Sequence, residues 1–186
     1  MRLFVAIDVP DDIKDAIETQ VVDVLRPKVE GAHWTRPEGR HLTLTFLGNV
    51  DDDRVGEIGS ALGAAMSHHG RFRASFAEVG GFPNLRRPRV LWIGVGLGAE
   101  QMAALATEIE GTLEPLGFEA EGRLFRGHFT LARFPKPHII GELPALTIPP
   151  ETFDVSEVVL FRSQLHPKGA RYTALERFKL RGRHGA

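Results

Sequence analysis

The strongest constraint on this chain is an internal echo. His41-Leu42-Thr43-Leu44 and His128-Phe129-Thr130-Leu131 share the form His–apolar–Thr–apolar, and each lies in a run that reads as a β-strand. With the chain's own composition, about 0.08 tetrads of this form are expected by chance, so a coincidental pair is improbable. In a strand, residues i and i+2 point to one face. His41 and Thr43 therefore share a face, while Leu42, Leu44 and, by the same alternation, Phe46 turn to the core as packing. His128 and Thr130 repeat the arrangement. If the two strands lie opposite each other, two imidazoles and two hydroxyls converge on one small space.

That convergence suits phosphoester displacement. One neutral imidazole takes a proton from an attacking water, and one imidazolium gives a proton to the departing oxygen. Histidine fits both roles because its unperturbed pKa is about 6.5. Two threonine hydroxyls can donate to the non-bridging oxygens and hold the in-line geometry. A metal site is the rival reading, but threonine is a poor zinc ligand and no Asp, Glu or Cys lies within the tetrads. We expect no metal and no cofactor. For the other histidines, such as His33, His69 and His138, packing or surface roles are the simpler reading. Alternation puts Arg126 on the face of His128, where it can contact phosphate or ribose, and Arg133 on the opposite face. Arg133 stays a candidate because strand ends twist. Tyr172 is a candidate for stacking a base, as aromatic residues commonly do with unpaired nucleotides, or for packing.

The rest of the chain frames these strands. Its 186 residues suit one compact domain, or two small lobes sharing a cleft. Predicted elements run β-α-β-β-α-β-β-α-β-β-β. Strands are expected over 2–9, 32–35, 41–47, 72–79, 90–95, 125–134, 153–162 and 171–180, with helices over 10–27, 51–68 and 98–116. The segment 80–89 is read as a loop and 135–150 as proline-broken. This order lacks the regular alternation of a doubly wound sheet and indicates α+β with largely antiparallel sheets.

No apolar run approaches the roughly 20 residues that span a bilayer. The opening apolar stretch is too short for a signal peptide. A cytoplasmic location is expected, with no membrane partner. The absence of cysteine excludes disulfides and thiolate chemistry. A net charge of −1 argues against coating long nucleic acid. From Arg162 onward, however, basic residues including Lys168, Arg171 and Arg183 outnumber the one acid, Glu176, which gives either a solvated terminal strand or a basic rim suited to one nucleic-acid end.

At these residues the sequence resembles the two-histidine phosphoesterase superfamily, and more narrowly its bacterial and archaeal RNA 2′,3′-cyclic phosphodiesterases, the LigT/ThpR group once called 2′-5′ RNA ligases. The likeness runs through residues 2–8, Trp34-Thr35-Arg36-Pro37-Glu38, 41–48, Pro88-Arg89-Val90-Leu91-Trp92, 125–133 and 163–172. It implies one bilobal domain over residues 1–186, with pseudo-twofold lobes around a central cleft, acting as a monomer. It implies His41 as proton donor to the leaving oxygen and His128 as acceptor from water. It implies a substrate that is an RNA 3′ end bearing a 2′,3′-cyclic phosphate, or a small cyclic nucleotide, and a 2′-phosphate product. Run in reverse with an RNA 5′-hydroxyl, the site would make a 2′-5′ linkage without ATP. One departure is Gly127, where that group usually has proline.

Overall fold

The structure, a computed structural model, describes residues 1–136, 138–167 and 169–181. Lys168, Arg183 and His184 lie outside the described residues. Among the described residues ten strands form: β1 (Arg2–Asp8), β2 (His33–Trp34), β3 (His41–Asn49), β4 (Phe72–Ala74), β5 (Phe76–Phe82), β6 (Val90–Val95), β7 (His128–Arg133), β8 (Phe153–Val155), β9 (Glu157–Gln164) and β10 (Arg171–Lys179). Eight of them make one sheet in the order β10-β9-β1-β3-β7-β6-β5, with β2 added beside β7; β4 and β8 pair separately. All these pairings are antiparallel. The α+β class expected from the sequence is what the chain adopts.

Three helical segments cover one face of the sheet. The first starts at Asp11–Ile17, widens into a π-turn at Glu18–Val22 and closes at Asp23–Leu25. Its first turn carries Asp11 and Asp12, whose charges oppose the positive helix end. It buries Ile13, Ile17, Val21, Val22 and Leu25. The other two are Val55–Met66 and Ala99–Leu113. Their buried residues recur at helical spacing, as Ile58, Leu62 and Met66, and as Met102, Leu105, Ile109 and Leu113. These faces meet Leu3, Val5 and Ile7 of β1, and Leu42, Leu44, Phe129 and Leu131 of the two tetrad strands, in one continuous core. The opposite face of β1 is buried as well. Phe4 and Ala6 join Val159 and Phe161 in a small separate cluster.

Two expected strands are each two strands. The run at 72–79 breaks between Ala74 and Phe76, and the run at 153–162 breaks between Val155 and Glu157. The short halves turn away to pair as β4 and β8, so the polar Ser75 and Ser156 mark changes of sheet. β5 continues to Phe82, through the glycines read as the start of a loop, and β7 begins at His128 and not at residue 125. Residues 138–150 have no regular structure, yet Ile140 is buried and Leu143, Leu146 and Ile148 rest on the core.

Candidate active site

The two tetrad strands are neighbours at the centre of the sheet. They share one register pair, Leu42 with Phe129. Continuing that antiparallel register sets His41 across from Thr130 and Thr43 across from His128. Beyond it β7 exchanges β3 for β2, pairing Ala132 with Trp34 and Arg133 with His33. The strands therefore part just past the tetrads. His41, Thr43, His128 and Thr130 are all half-buried, while Leu42, Leu44, Phe129 and Leu131 are buried. The face assignment drawn from alternation holds for all eight residues.

The two imidazoles are held alike. His41 Nδ1 lies 2.9 Å from the carbonyl oxygen of Gly39, and His128 Nδ1 lies 2.8 Å from that of Arg126. A carbonyl can only accept, so in each ring Nδ1 carries the proton and Nε2 keeps its lone pair when the ring is neutral. Aromatic rings fix the ring planes. Phe4 lies 4.6 Å from the His41 ring and Tyr172 meets it edge-on at 4.9 Å; Phe82 meets the His128 ring edge-on at 5.0 Å. Burial pushes the His41 pKa down to about 4, against smaller upward pulls from the Gly39 carbonyl and Asp8. Burial also lowers His128, against the Arg126 carbonyl and Glu121. The Arg133 charge lowers both.

The strand register corrects the assignment of Arg133 to the far face. Between β6 and β7 the register steps from Leu91 with Ala132 to Trp92 with Thr130, so Leu131 is an extra, bulged residue. Leu131 and Ala132 are both buried in succession, and Arg133 emerges exposed on the side of His128. The first lobe has the same device. The β1–β3 register steps from Val5 with Thr45 to Ala6 with Thr43, leaving Leu44 extra. Leu44 and Thr45 are buried in succession, and Phe46 is 49% exposed. Its ring lies 6.0 Å from Phe4, which itself backs His41. The expectation that Phe46 is core packing is therefore wrong. A bulge one residue after each Thr shifts the alternation and brings Phe46 and Arg133, each five residues beyond its histidine, to the cleft face.

Tyr172 is 37% exposed at the edge of His41, available to a ligand as well as packed. Arg126 stands over the Trp92 indole, 4.6 Å from its centroid, with Nη2 3.2 Å from Glu78. Its guanidinium is thus held over a ring that lies 6.4 Å from the His128 ring, and by the carboxylate of Glu78, which the sequence does not single out.

A LigT-like phosphoesterase family model matches residues 7–92 and 95–172. The chain belongs to the LigT-like phosphoesterase family. An RNA 2′,3′-cyclic phosphodiesterase of Archaeoglobus fulgidus is 35% identical over 96% of this chain and 100% of its own length. One of Thermus thermophilus is 36% identical over 100% of this chain and 93% of its own length. Among solved structures, a Thermus thermophilus protein aligns with a TM-score of 0.83 at 34% identity over 99% of this chain and 100% of its own. Escherichia coli LigT complexed with 3′-AMP aligns at 0.75 and 27% identity, over 96% of this chain and 97% of its own.

Behind the site of this LigT-like phosphoesterase lies a buried guanidinium. The Arg40 side chain, fully buried, donates to Thr35 Oγ1 at 3.0 Å and to the Thr35 carbonyl at 2.7 Å, with Glu18 Oε2 2.6 Å away. Thr35 Oγ1 in turn lies 2.8 and 2.9 Å from the carbonyl oxygens of Thr130 and Leu131, which share its one hydroxyl proton. The residue before His41 is thus tied to the backbone beside His128, which couples the two lobes at the bulge.

Gly127 is also accounted for. A Cβ there would lie 2.9 Å from Met102 Sδ and 3.2 Å from Val95 Cγ2, so the buried methionine fills the volume a larger residue would need. Gly127→Ala should destabilise the fold by about 1–3 kcal/mol through overpacking. In Met102→Ala the same substitution should cost clearly less, a coupling that denaturant unfolding of the double-mutant cycle measures. Equal costs in both backgrounds would refute the contact as the reason for glycine.

Proposed function

We propose that this phosphoesterase opens a terminal RNA 2′,3′-cyclic phosphate to a 2′-phosphate by acid–base catalysis between His41 and His128. The observation that carries this is the matched anchoring of both rings, in which a backbone carbonyl takes each Nδ1–H and leaves each Nε2 for chemistry. His128 Nε2 accepts a proton from water as the water oxygen bonds to phosphorus. The P–O3′ bond breaks, and His41 Nε2 delivers its proton to O3′. Thr43 and Thr130 donate to the non-bridging oxygens, and Arg133 offsets the phosphate charge. Phe46 and Tyr172 offer ring faces to the terminal base, and Arg126 contacts the ribose or phosphate from the second lobe. The chain acts as one bilobal unit, a reading supported by a sheet that runs unbroken through both lobes. Because the step is reversible, an RNA 5′-hydroxyl replacing water would form a 2′-5′ linkage without ATP.

The direct test is to incubate an RNA oligonucleotide bearing a cyclic end and identify the product by phosphorus NMR. A 2′-phosphate is expected; a 3′-phosphate would show that O2′ leaves and would overturn the geometry. Turnover should also persist in EDTA. Among the described residues no three His, Cys, Asp or Glu side chains gather into a metal-binding group. Loss of turnover on chelation, restored by one divalent ion, would defeat the acid–base reading.

A further inference from the structure

The second lobe carries more positive charge beside the cleft than one phosphate needs. After β5 ends at Phe82, the loop through Asn84-Leu85-Arg86-Arg87-Pro88-Arg89 returns the chain to β6. Arg86, Arg87 and Arg89 are exposed, and no carboxylate among the described residues lies within ion-pair distance of any of them. The same holds for Arg133 and Lys136. In a chain of net charge −1, Arg26, Arg40 and Arg177 each lie 2.6 Å from a carboxylate, whereas this one loop gathers three guanidiniums without such a partner.

The loop is also built to hold its shape. Arg89 N–H donates to the Phe82 carbonyl at 2.7 Å, and Arg87 N–H to Asn84 Oδ1 at 3.0 Å. The Arg86 and Arg89 carbonyls accept from Ile140 and Phe134 at 2.9 Å each. A Cβ on Gly81 would lie 2.8 Å from the Asn84 carbonyl oxygen, so the loop lies tightly over the end of β5. Four of its backbone groups are thus held, and its arginine side chains are exposed. The loop is joined to the site at both ends: Phe82 meets His128 edge-on, and Val90, which follows Arg89, pairs with Arg133.

We propose that this arginine loop is a track for the RNA backbone on the 5′ side of the cyclic end, engaging phosphates that the catalytic site does not touch. The proposal rests on the reading of the site as an RNA cyclic phosphodiesterase. Arg133 serves the terminal phosphate, and Arg86 and Arg87 serve phosphates of preceding nucleotides. The exposed Leu85 at the loop tip offers an apolar contact to a base. The phosphate contacts are electrostatic and sequence-independent, and each neutralised phosphate steepens the salt dependence of binding to a single strand by about 0.7 in log–log slope.

The test compares two substrates, a cyclic mononucleotide and an oligoribonucleotide of about ten residues with the same cyclic end. Wild-type turnover of the oligonucleotide is the control for the reading of the site itself; without it, that reading fails and the track is not what failed. In Arg86→Ala/Arg87→Ala, the mononucleotide kcat/KM should stay at the wild-type value. The oligonucleotide kcat/KM should drop at least tenfold at low salt, and its log–log salt slope should flatten by about 1.4, twice the single-contact value. Arg86→Lys/Arg87→Lys should recover most of the loss, since charge is what the track supplies. An unchanged oligonucleotide kcat/KM and salt slope would overturn the proposal and leave the loop to some other partner, such as an acidic protein. An equal loss on both substrates would overturn it too, by showing that the loop acts through the catalytic site.

Discussion

Replacing His128 by alanine should slow opening of a cyclic RNA end roughly 10²–10⁴-fold, and replacing His41 should cost a similar factor, the usual range for general acid–base catalysis. The double variant should be little worse than the worse single one, because two groups that pass protons through one transition state act as a unit. The roles separate with a substrate in which sulfur replaces O3′. A thiol has a pKa near 8.5, far below an alcohol, and its anion leaves without a proton. His41→Ala should then regain much of its rate, while His128→Ala stays slow because water must still lose a proton. Recovery of the His128 variant instead would exchange donor and acceptor.

The same pair predicts where the wild-type enzyme works. With His41 as the proposed proton donor and His128 as the proposed acceptor, the first must be protonated and the second neutral, and the rate profile should be bell-shaped. Burial lowers both imidazoles, His41 to about 4. The free enzyme therefore reaches its kcat/KM maximum on the acid side of about 6.5, where two unperturbed imidazoles would centre it. A bound phosphate anion favours imidazolium, so the kcat profile should lie at higher pH than the kcat/KM profile. The limbs belong to the coupled pair and not to either residue. A kcat/KM maximum above about pH 7 would contradict the burial argument.

Much of this site is legible in the sequence, and the part that is not fails for one physical reason. Strand period two places eight tetrad residues correctly because hydrophobic burial enforces it. It then places Phe46 and Arg133 on the wrong face. No glycine or proline announces the bulges at Leu44 and Leu131; the residues there are ordinary strand formers. Only the backbone register shows them. A faint signal does exist in Leu44-Thr45 and Leu131-Ala132, two small or apolar pairs at the same offset from each histidine. Duplicated deviation is a better sign of a bulge than either strand alone. The pairing of β3 with β7, and the exchange of β3 for β2, are contacts between distant segments that local pattern does not encode. Phe82 does not stand out in the sequence because Gly80 and Gly81 read as loop, and Trp92 stands in an expected strand with nothing local to set it beneath Arg126. In the structure both glycines are strand, and a Cβ on Gly80 would overlap the Trp92 ring.

Thr43→Ala and Thr130→Ala should each lower kcat by about 2.7–4 kcal/mol of lost transition-state stabilisation, or 10²–10³-fold, as removal of one oxyanion donor does elsewhere. The fold should survive. Both side chains are half-buried, and the hydrogen bond that ties Thr130 to Thr35 uses the Thr130 carbonyl, which alanine keeps. Serine at either position retains a donor and should restore most of the rate, which separates the hydroxyl from mere volume. The register distinguishes this pair from the histidines. Thr43 and Thr130 stand on different strands, each across from the other strand's histidine, so in their proposed role they should reach the phosphate from opposite sides and meet different oxygens. Their losses should therefore multiply in the double variant, whereas those of His41 and His128 should not. Single-turnover rates of the four threonine combinations measure this. Wild-type rates in both single variants would remove the hydroxyls from the reaction. A double variant no slower than the worse single one would mean that the two donors share one oxygen, and that the phosphate sits nearer one strand than the paired tetrads imply.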